Sequence, residues 1–439
     1  MDDQNRIQPW SKDPHYWQYK GEPVILLGGS VEDNLYQIPD LESHLDTLVA
    51  VGGNYIRNTM SDRDPGDARA FAKRPDGKYD LSEWHGEYWN RFEHLLKLTA
   101  EREIIVQLEL WDRFDHSQTF WGSDPFNPTN NVNYTFDSSG FEPVYPEHPG
   151  KNKQPFFVTP PAMQNNCIVL PFQQAFVRKV LQHTLRHDHV LYCIDNEYSG
   201  SPEWSNYWAD IVREEARQHS KRVEVTEMFD GNLEMLGYVL DSERYSFVEA
   251  NKIMAPQRWA AHGEEQWTKT REILDRMGDR PCPLTMDKLR GTSNSITGDH
   301  VSISYGKFWR GLLAGYSAVR FHRPVPGSLG LSTEAQHCIR AARLLEEIVP
   351  IWDLVPALDR LNERAEDSAY FLTGPNSASV VYCPDGGAAT VGHLTGSHLV
   401  RWIDISSGSW APETATVQGA ESISTPGPGH WIAVLTPSE

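Results

Sequence analysis

The chain has 439 residues, 39% of them hydrophobic, which is enough to build one large barrel plus an accessory domain. Its formal net charge of −20 (40 Lys and Arg against 60 Asp and Glu) repels phosphate backbones and anionic lipid, so nucleic acids and membranes are not expected partners. Five cysteines (Cys167, Cys193, Cys282, Cys338 and Cys383) stand far apart in no CxxC or metal-ligand pattern, which argues against a disulfide framework.

The opening MDDQNRIQPW is acidic and polar, without the pattern of a signal peptide. The expected location is the cytoplasm, or outside the cell if an export signal has been removed. No apolar stretch approaches the ~20 residues of a membrane span. The 15 Trp, 17 Tyr and 16 Phe point to another kind of partner, because flat aromatic faces suit sugar rings as well as cores.

Short apolar runs alternate with longer amphipathic stretches almost to residue 350. The runs are PVILLGGS (23–30), NYIRNT (54–59), EIIVQLEL (103–110), VLYCID (190–195), VEVTEM (223–228), YSFVEA (245–250), CPLTMD (282–287) and YSAVRFH (316–322). Helix-like segments fall between and after them at 41–50, 85–101, 172–187, 203–219, 232–240, 263–277, 305–314 and 333–348. In EYWNRFEHLLKLTAER, for example, Tyr88, Phe92, Leu95 and Leu96 recur at helical spacing, and Ser332 in STEAQ reads as a helix N-cap. Eight strands alternating with helices predict a (β/α)8 TIM barrel.

Two regions break the alternation. Residues 113–170 are polar and rich in aromatics, and a loop of that length is usually functional or disordered. Its Trp, Phe and Tyr content favours an ordered wall of the pocket. From 367 to 439, short runs such as SASVVYCPD, LVRWIDI and WIAVLTP are divided by Gly, Pro, Ser and Asn turns. That spacing reads as a small C-terminal β-sandwich. The expected domains are therefore a catalytic barrel over 1–357 and a sandwich over 367–439, linked by LDRLNERAED.

In such barrels the chemistry sits at the C-terminal ends of the strands. Those ends offer Glu32, Asp33 and Asn34; Arg57 and Asn58; Glu109, Trp111, Asp112 and Arg113; Asn196 and Glu197; Glu227 and Asp230; Glu249 and Asn251; Asp287 and Lys288; and His322 and Arg323. Most ends carry a carboxylate. Any one of them is as well read as a structural ion pair, but their convergence on one rim is harder to dismiss. No HxH, HExxH, GxSxG or P-loop pattern is present. LLGGS (26–30) is a weak phosphate signal, because acidic VED follows it.

Paired carboxylates beside aromatic walls are what glycosidic cleavage requires: one group delivers a proton and the other stays ionised as nucleophile or base. Glu197 is the best placed acid, since it ends an apolar strand where desolvation raises a carboxyl pKa. Asn196 can bind a sugar hydroxyl or orient a neighbour. Asp33, Arg57, Asn58, Glu109, Trp111, Asp112, Asp230, Glu249, His322 and Arg323 are expected around the substrate. Trp111 and Trp121 either stack on sugar or pack the long loop. No cofactor and no resident metal are expected. The alternatives are a Mg²⁺- or Mn²⁺-dependent sugar isomerase or lyase and a catalytically silent carbohydrate-binding protein.

At DNE the sequence resembles the clan of barrel glycoside hydrolases in which Asn-Glu closes strand four and the Glu is the acid/base. HYWQYKGEPVILLGGS, ELWDRFDH, PFNPTNNVNYT and the tail VYCPDGG…RWIDISSGSW are similar to apiosidase-like glycosidases, whose small C-terminal sandwich is often described as collagen-binding. The resemblance implies a hydrolase of plant or algal glycans. In that clan the nucleophile is a Glu at the end of strand seven, whereas this chain has PLTMDKLRG there. The second carboxylate is then Asp287, or Glu227, Asp230 or Glu249 from another strand, or the chemistry has been lost. A separation of ~5 Å between the two carboxyl groups means retention and ~6.5–9.5 Å means inversion.

Overall fold

The computed structural model describes residues 4–145, 154–230, 233–251, 262–293, 296–392, 394–419 and 421–438. Eight strands form one parallel sheet: β1 (Leu26–Gly29), β2 (Tyr55–Thr59), β3 (Ile105–Asp112), β4 (Val190–Asn196), β5 (Val225–Thr226), β6 (Val248–Glu249), β7 (Leu284–Leu289) and β8 (Ala318–Phe321). Every apolar run of the sequence supplies one of them.

Hydrogen bonding follows the order β5-β4-β3-β2-β1-β8-β7-β6. The two end strands then meet. The Ser246 amide donates to the Val225 carbonyl at 2.8 Å, and the Thr226 hydroxyl donates to the Phe247 carbonyl at 2.6 Å. The sheet is a closed (β/α)8 barrel.

A helix follows each strand: α1 (Leu41–Ala50), α2 (Gly86–Glu101), α3 (Leu170–Thr184), α4 (Pro202–Gln218), α5 (Leu233–Leu240), α6 (Glu264–Met277), α7 (His300–Ala314) and α8 (Thr333–Glu346). The Ser332 cap forms as expected, its hydroxyl accepting from the Ala335 amide. Helix α7 begins five residues before the expected start at 305, because the Asp299 carboxylate caps it through the Val301 and Ser302 amides. From Ser304 to Ala314 every residue of α7 is buried. A helix buried on all sides lies between two layers, and here these are the barrel and the C-terminal domain.

That domain comprises β9 (Val355–Pro356), β10 (Leu361–Asn362), β11 (Tyr370–Thr373), β12 (Ser379–Cys383), β13 (Ala388–Val391), β14 (Ser397–Asp404), β15 (Ser409–Gln418), β16 (Glu421–Ser424) and β17 (Trp431–Pro437). They make two antiparallel sheets, β9-β11-β12-β17-β14-β15 and β10-β13-β16, packed as a sandwich. The sandwich starts at Val355 rather than 367: β9 lies within the expected barrel range and β10 within the expected linker. Two-residue strands carry too little alternation to be read from sequence.

The period-two rule explains how the sandwich is held. Tyr370, Leu372, Val380 and Tyr382 face the barrel helices and join their core, while Phe371, Val381 and Cys383 face the second sheet. Trp309 of α7 stacks on Tyr382 with ring centroids 6.3 Å apart. Arg310 forks onto Asp367 with both bonds at 2.7 Å. One face of the sandwich is thus spent bracing the barrel.

The floor of the barrel is closed by Ile7 and Trp17 from the N-terminal segment, packed on Leu26, Tyr55, Ile105, Leu191, Phe247 and Ala318. The glycines of LLGGS serve this close packing. A Cβ on Gly28 would stand 1.9 Å from the Tyr55 carbonyl oxygen, and one on Gly29 would stand 2.4 Å from the Gly330 carbonyl oxygen. Both obstacles are backbone, so the strands would have to part. Gly28→Ala should lower the unfolding free energy by about 1–3 kcal/mol or more, by the usual cost of overpacking, as read by urea titration.

Candidate active site

The long loop after β3 is ordered wherever it is described, and its rings go into packing. Trp121, Phe126, Tyr134, Phe141, Phe156 and Phe157 are all buried. Asn127 and Asn131 donate to the carbonyls of Trp121 and Pro125, holding the turns that carry these rings. Trp111 joins the same cluster, with its ring 5.2 to 5.5 Å from Phe176, Trp208 and Phe156. It is therefore a packing residue and not a sugar platform. Trp121 likewise sits against Phe141 and Tyr145.

Above the apolar floor, the barrel interior becomes polar in steps. The Tyr55 hydroxyl donates to Gln107 at 2.6 Å, and Gln107 donates to the Asp287 carboxylate at 2.7 Å. Asn251 donates to the other Asp287 oxygen. Arg57, fully buried, donates from Nε to Glu109 at 2.5 Å and from Nη1 to Asp33, and its Nε lies 3.5 Å from Asp287. Glu109 and Asp287 are also fully buried. Burial, with Asp287 as a like charge, outweighs Arg57 and pushes Glu109 up to about 7. Burial and Asp287 also push Glu249 up.

Asp33 goes the other way: burial works to raise its carboxyl, but Arg57, with Arg320 and Lys288 behind it, holds it well below the usual range. Arg323 reaches Asp33 at 2.8 Å and Glu32 at 3.2 Å. Burial keeps His322 neutral, its value pushed far below that of free imidazole. Asn58 is absorbed by the backbone, accepting from the Tyr36 amide and donating to the Thr59 carbonyl.

The rim is organised around Glu197, which follows β4 directly. Its backbone has φ +62°, a conformation that costs a non-glycine residue on the order of 1–3 kcal/mol and collects at functional sites. The kink is held by a short parallel bridge just beyond it, between Tyr198 and Phe229. The Tyr198 amide donates to Met228, and the Asp230 amide donates to the Tyr198 carbonyl at 2.6 Å. This bridge extends the β4–β5 pairing and brings Glu197 and Asp230 to the same part of the mouth.

Arg113 spans them. Its Nη2 donates to Glu197 Oε2 at 2.9 Å and its Nη1 donates to Asp230 Oδ2 at 2.6 Å. The width of one guanidinium fork therefore limits the two oxygens to about 8 Å apart. The other Glu197 oxygen accepts from the Lys288 ammonium at 2.8 Å. Lys288 also donates to Asn196, and Asn196 donates to Asp112 at 2.9 Å. Burial works to raise Asp112, but Arg63 outweighs it and holds it low.

Lys288 reaches this position because β7 is irregular between Met286 and Leu289, where its register with β8 shifts. In such a bulge two successive side chains escape strict alternation. Asp287 turns down to Gln107 and Asn251, while Lys288 turns up to Glu197.

Glu227 stands apart from the rim. One of its oxygens accepts from the amides of Asp195 and Met228 at 3.1 and 2.8 Å, and the residue is fully buried beside Asp195. Burial pushes Glu227 up to about 8 and, with Glu227 as its neighbour, pushes Asp195 up as well. The structure thus gathers Asp112, Asn196, Glu197 and Asp230 at the mouth, with Arg323 at its edge, and Asp33, Arg57, Glu109, Glu249, Asp287 and His322 around the barrel centre. Trp111, Asn58 and Glu227 are elsewhere. Arg113 and Lys288 were legible only as neighbours of carboxylates, and Gln107 and Asp195, buried mid-strand, had no signal.

The family described as a domain of unknown function (DUF6298) matches residues 65–254, from the loop after β2 past the end of β6. No curated protein matches the chain. Among solved structures, a glycoside hydrolase family 5 protein from Bacteroides vulgatus ATCC 8482 superposes with a TM-score of 0.66 at 11% identity, over 99% of this chain and 94% of its own. An endo-1,4-beta-mannanase from Rhizomucor miehei superposes with a TM-score of 0.51 at 12% identity, over 73% of this chain and 91% of its own. At such identities the likeness establishes a shared fold. Among the described residues no helix is long and apolar enough to cross a membrane.

The raised carboxyls give stability a definite pH dependence. Glu109 and Glu227 hold protons in the folded state up to about 7 and 8, against 4.5 for a free glutamate. The folded chain then binds more protons than the unfolded one in that window. The contribution is complete below about 4.5 and is lost as pH rises through 7 to 8. Urea unfolding should show falling stability from pH ~5 to ~9, and Glu227→Gln should flatten that slope.

Proposed function

We propose that the chain is a glycoside hydrolase that uses Glu197 and Asp230 as its two carboxyl groups. The observation that carries this reading is their shared hold on Arg113 at the C-terminal mouth of the barrel. The fold shared with glycoside hydrolases supports it.

A reacting carboxyl must touch substrate, which turns the choice of partner into a question of access. Glu109, Glu227, Glu249 and Asp287 are all 1% exposed or less, whereas the Glu197 and Asp230 side chains are 13% and 26% exposed. Asp287 is also committed to Gln107, Asn251 and Arg57, and Lys288 holds the seat opposite Glu197 on the strand-seven side. The Arg113 fork allows up to about 8 Å between Glu197 and Asp230, a range that includes the spacing a water needs. Asp230, the more open of the two, takes a proton from that water as its oxygen attacks the anomeric carbon. Protonated Glu197 gives its proton to the departing glycosidic oxygen, and the anomeric configuration inverts. Two carboxyl groups and one water complete the step without a cofactor.

The expected substrate is a glycosidic bond in a plant, algal or microbial glycan. The apiosidase-like subtype and the collagen-binding description of the sandwich rest on sequence motifs alone. One observation favours a second reading, a carbohydrate-binding protein without turnover: the ammonium of Lys288 on Glu197.

A panel of glycans and aryl glycosides assayed for sugar release separates the two. Wild type should release sugar, Glu197→Gln should lose about a thousandfold, and Asp230→Asn about a hundredfold or more, as the loss of a general acid or base does. Full activity in Glu197→Gln would overturn the assignment. Sugar binding without release by wild type would favour the second reading.

A further inference from the structure

A proton donor must be able to hold a proton, and the surroundings of Glu197 oppose this. Arg113 and Lys288, each 3% exposed, donate to its two oxygens at 2.9 and 2.8 Å. Two cations at that range stabilise the carboxylate. Among the described residues, the other charged groups facing this spot include Asp230 beyond β5, Arg290 beyond β7, and Asp112 of β3 through Asn196. Lys288 is itself faced by Asp33, Glu109, Glu249 and His322 from β1, β3, β6 and β8. A neutral sugar entering this mouth offers only uncharged hydroxyl oxygens to replace Glu197 on either cation, weaker acceptors than a carboxylate.

We propose that the substrate carries a carboxylate, as a uronic acid residue does, and that this group takes the place of Glu197 on Lys288. The inference rests on the glycosidase reading above and names its substrate class. Lys288 and Arg113 already grip a carboxylate, so an incoming one needs no new donors. Both cations are withdrawn from water, where a charge-assisted hydrogen bond is worth more than at the surface. Arg323, with a side chain 36% exposed, stands at the entrance already paired with Glu32 and Asp33. The net charge of −20 repels an anionic glycan, but that repulsion is screened beyond ~8 Å in physiological salt, so the local cations decide binding.

The exchange also supplies the missing proton. Substrate binding removes one cation from Glu197, which takes a proton from solvent. Hydrolysis delivers that proton to the leaving oxygen, while Asp230 gains one from the attacking water and returns it to solvent. Protons balance over the cycle, and a water is added across the bond.

The test is calorimetric titration of the full chain near neutral pH with D-galacturonate and D-glucuronate, against D-galactose and D-glucose, in buffers of different ionisation enthalpy. Uronates should bind about tenfold or more tightly than their neutral counterparts, the worth of one charge-assisted hydrogen bond, with uptake of up to about one proton. Lys288→Met should erase the preference and Lys288→Arg should keep it. The wild-type result stands even if Lys288→Met fails to fold. Equal binding of neutral sugars, uronate binding without proton uptake, or no uronate binding at millimolar concentration would each overturn the proposal. Monosaccharide binding needs no turnover, so a chain that passes this test but cleaves no glycan refutes only the glycosidase reading. One that cleaves neutral glycans through Glu197 and fails the test refutes only the uronate inference.

Discussion

Arg57 is the interaction on which the interior of the barrel depends. A cluster of carboxylates inside a closed sheet is unstable unless a cation and hydrogen-bond donors share the space. Arg57 meets Glu109, Asp33 and Asp287 from one fully buried guanidinium, and Gln107 and Asn251 supply the remaining donors to Asp287. Removing one partner of such an arrangement typically costs about 3–5 kcal/mol, because the remaining charges are left buried and unpaired. The same arrangement fixes which carboxylates are available for chemistry. Of those bound to Arg57, Glu109 and Asp287 are fully buried, whereas Asp33 also reaches the half-exposed Arg323.

The mouth is built on a second constraint. Glu197 carries a backbone strain that the Tyr198–Phe229 bridge compensates, and that bridge is what brings Asp230 beside it. Local strain, the β4–β5 pairing and the Arg113 fork therefore all serve one pair of carboxylates. The shift of register in β7 has the opposite effect on strand seven: it buries Asp287 and raises Lys288. The group facing Glu197 from strand seven is therefore the ammonium of Lys288.

Much of this was legible in the sequence. All eight apolar runs became barrel strands, because their length and spacing leave few other folds that bury them. Glu197 was singled out because it directly ends an apolar strand beside Asn196, and the structure places it at the mouth of the barrel. Three features were not legible, for identifiable reasons. Trp111 was assigned to the pocket, yet Leu110 and Trp111, consecutive in the chain, both join the main hydrophobic core, so alternation fails at the end of β3. In TEMFD nothing distinguishes Glu227, which turns to backbone amides, from Asp230, which turns to Arg113. The bulge in β7 has no sequence signal, so the opposed directions of Asp287 and Lys288 depend on the tertiary structure.

The central claim is that Glu197 works with Asp230 across Arg113 and not with Asp287 on strand seven. Proton NMR of the first sugar released, recorded before mutarotation, tests it most directly. A product of inverted anomeric configuration is the predicted result, since the proposed step places a water between the two carboxylates and forms no covalent intermediate. A product of retained configuration, with a glycosyl group trapped on Asp287, would contradict it.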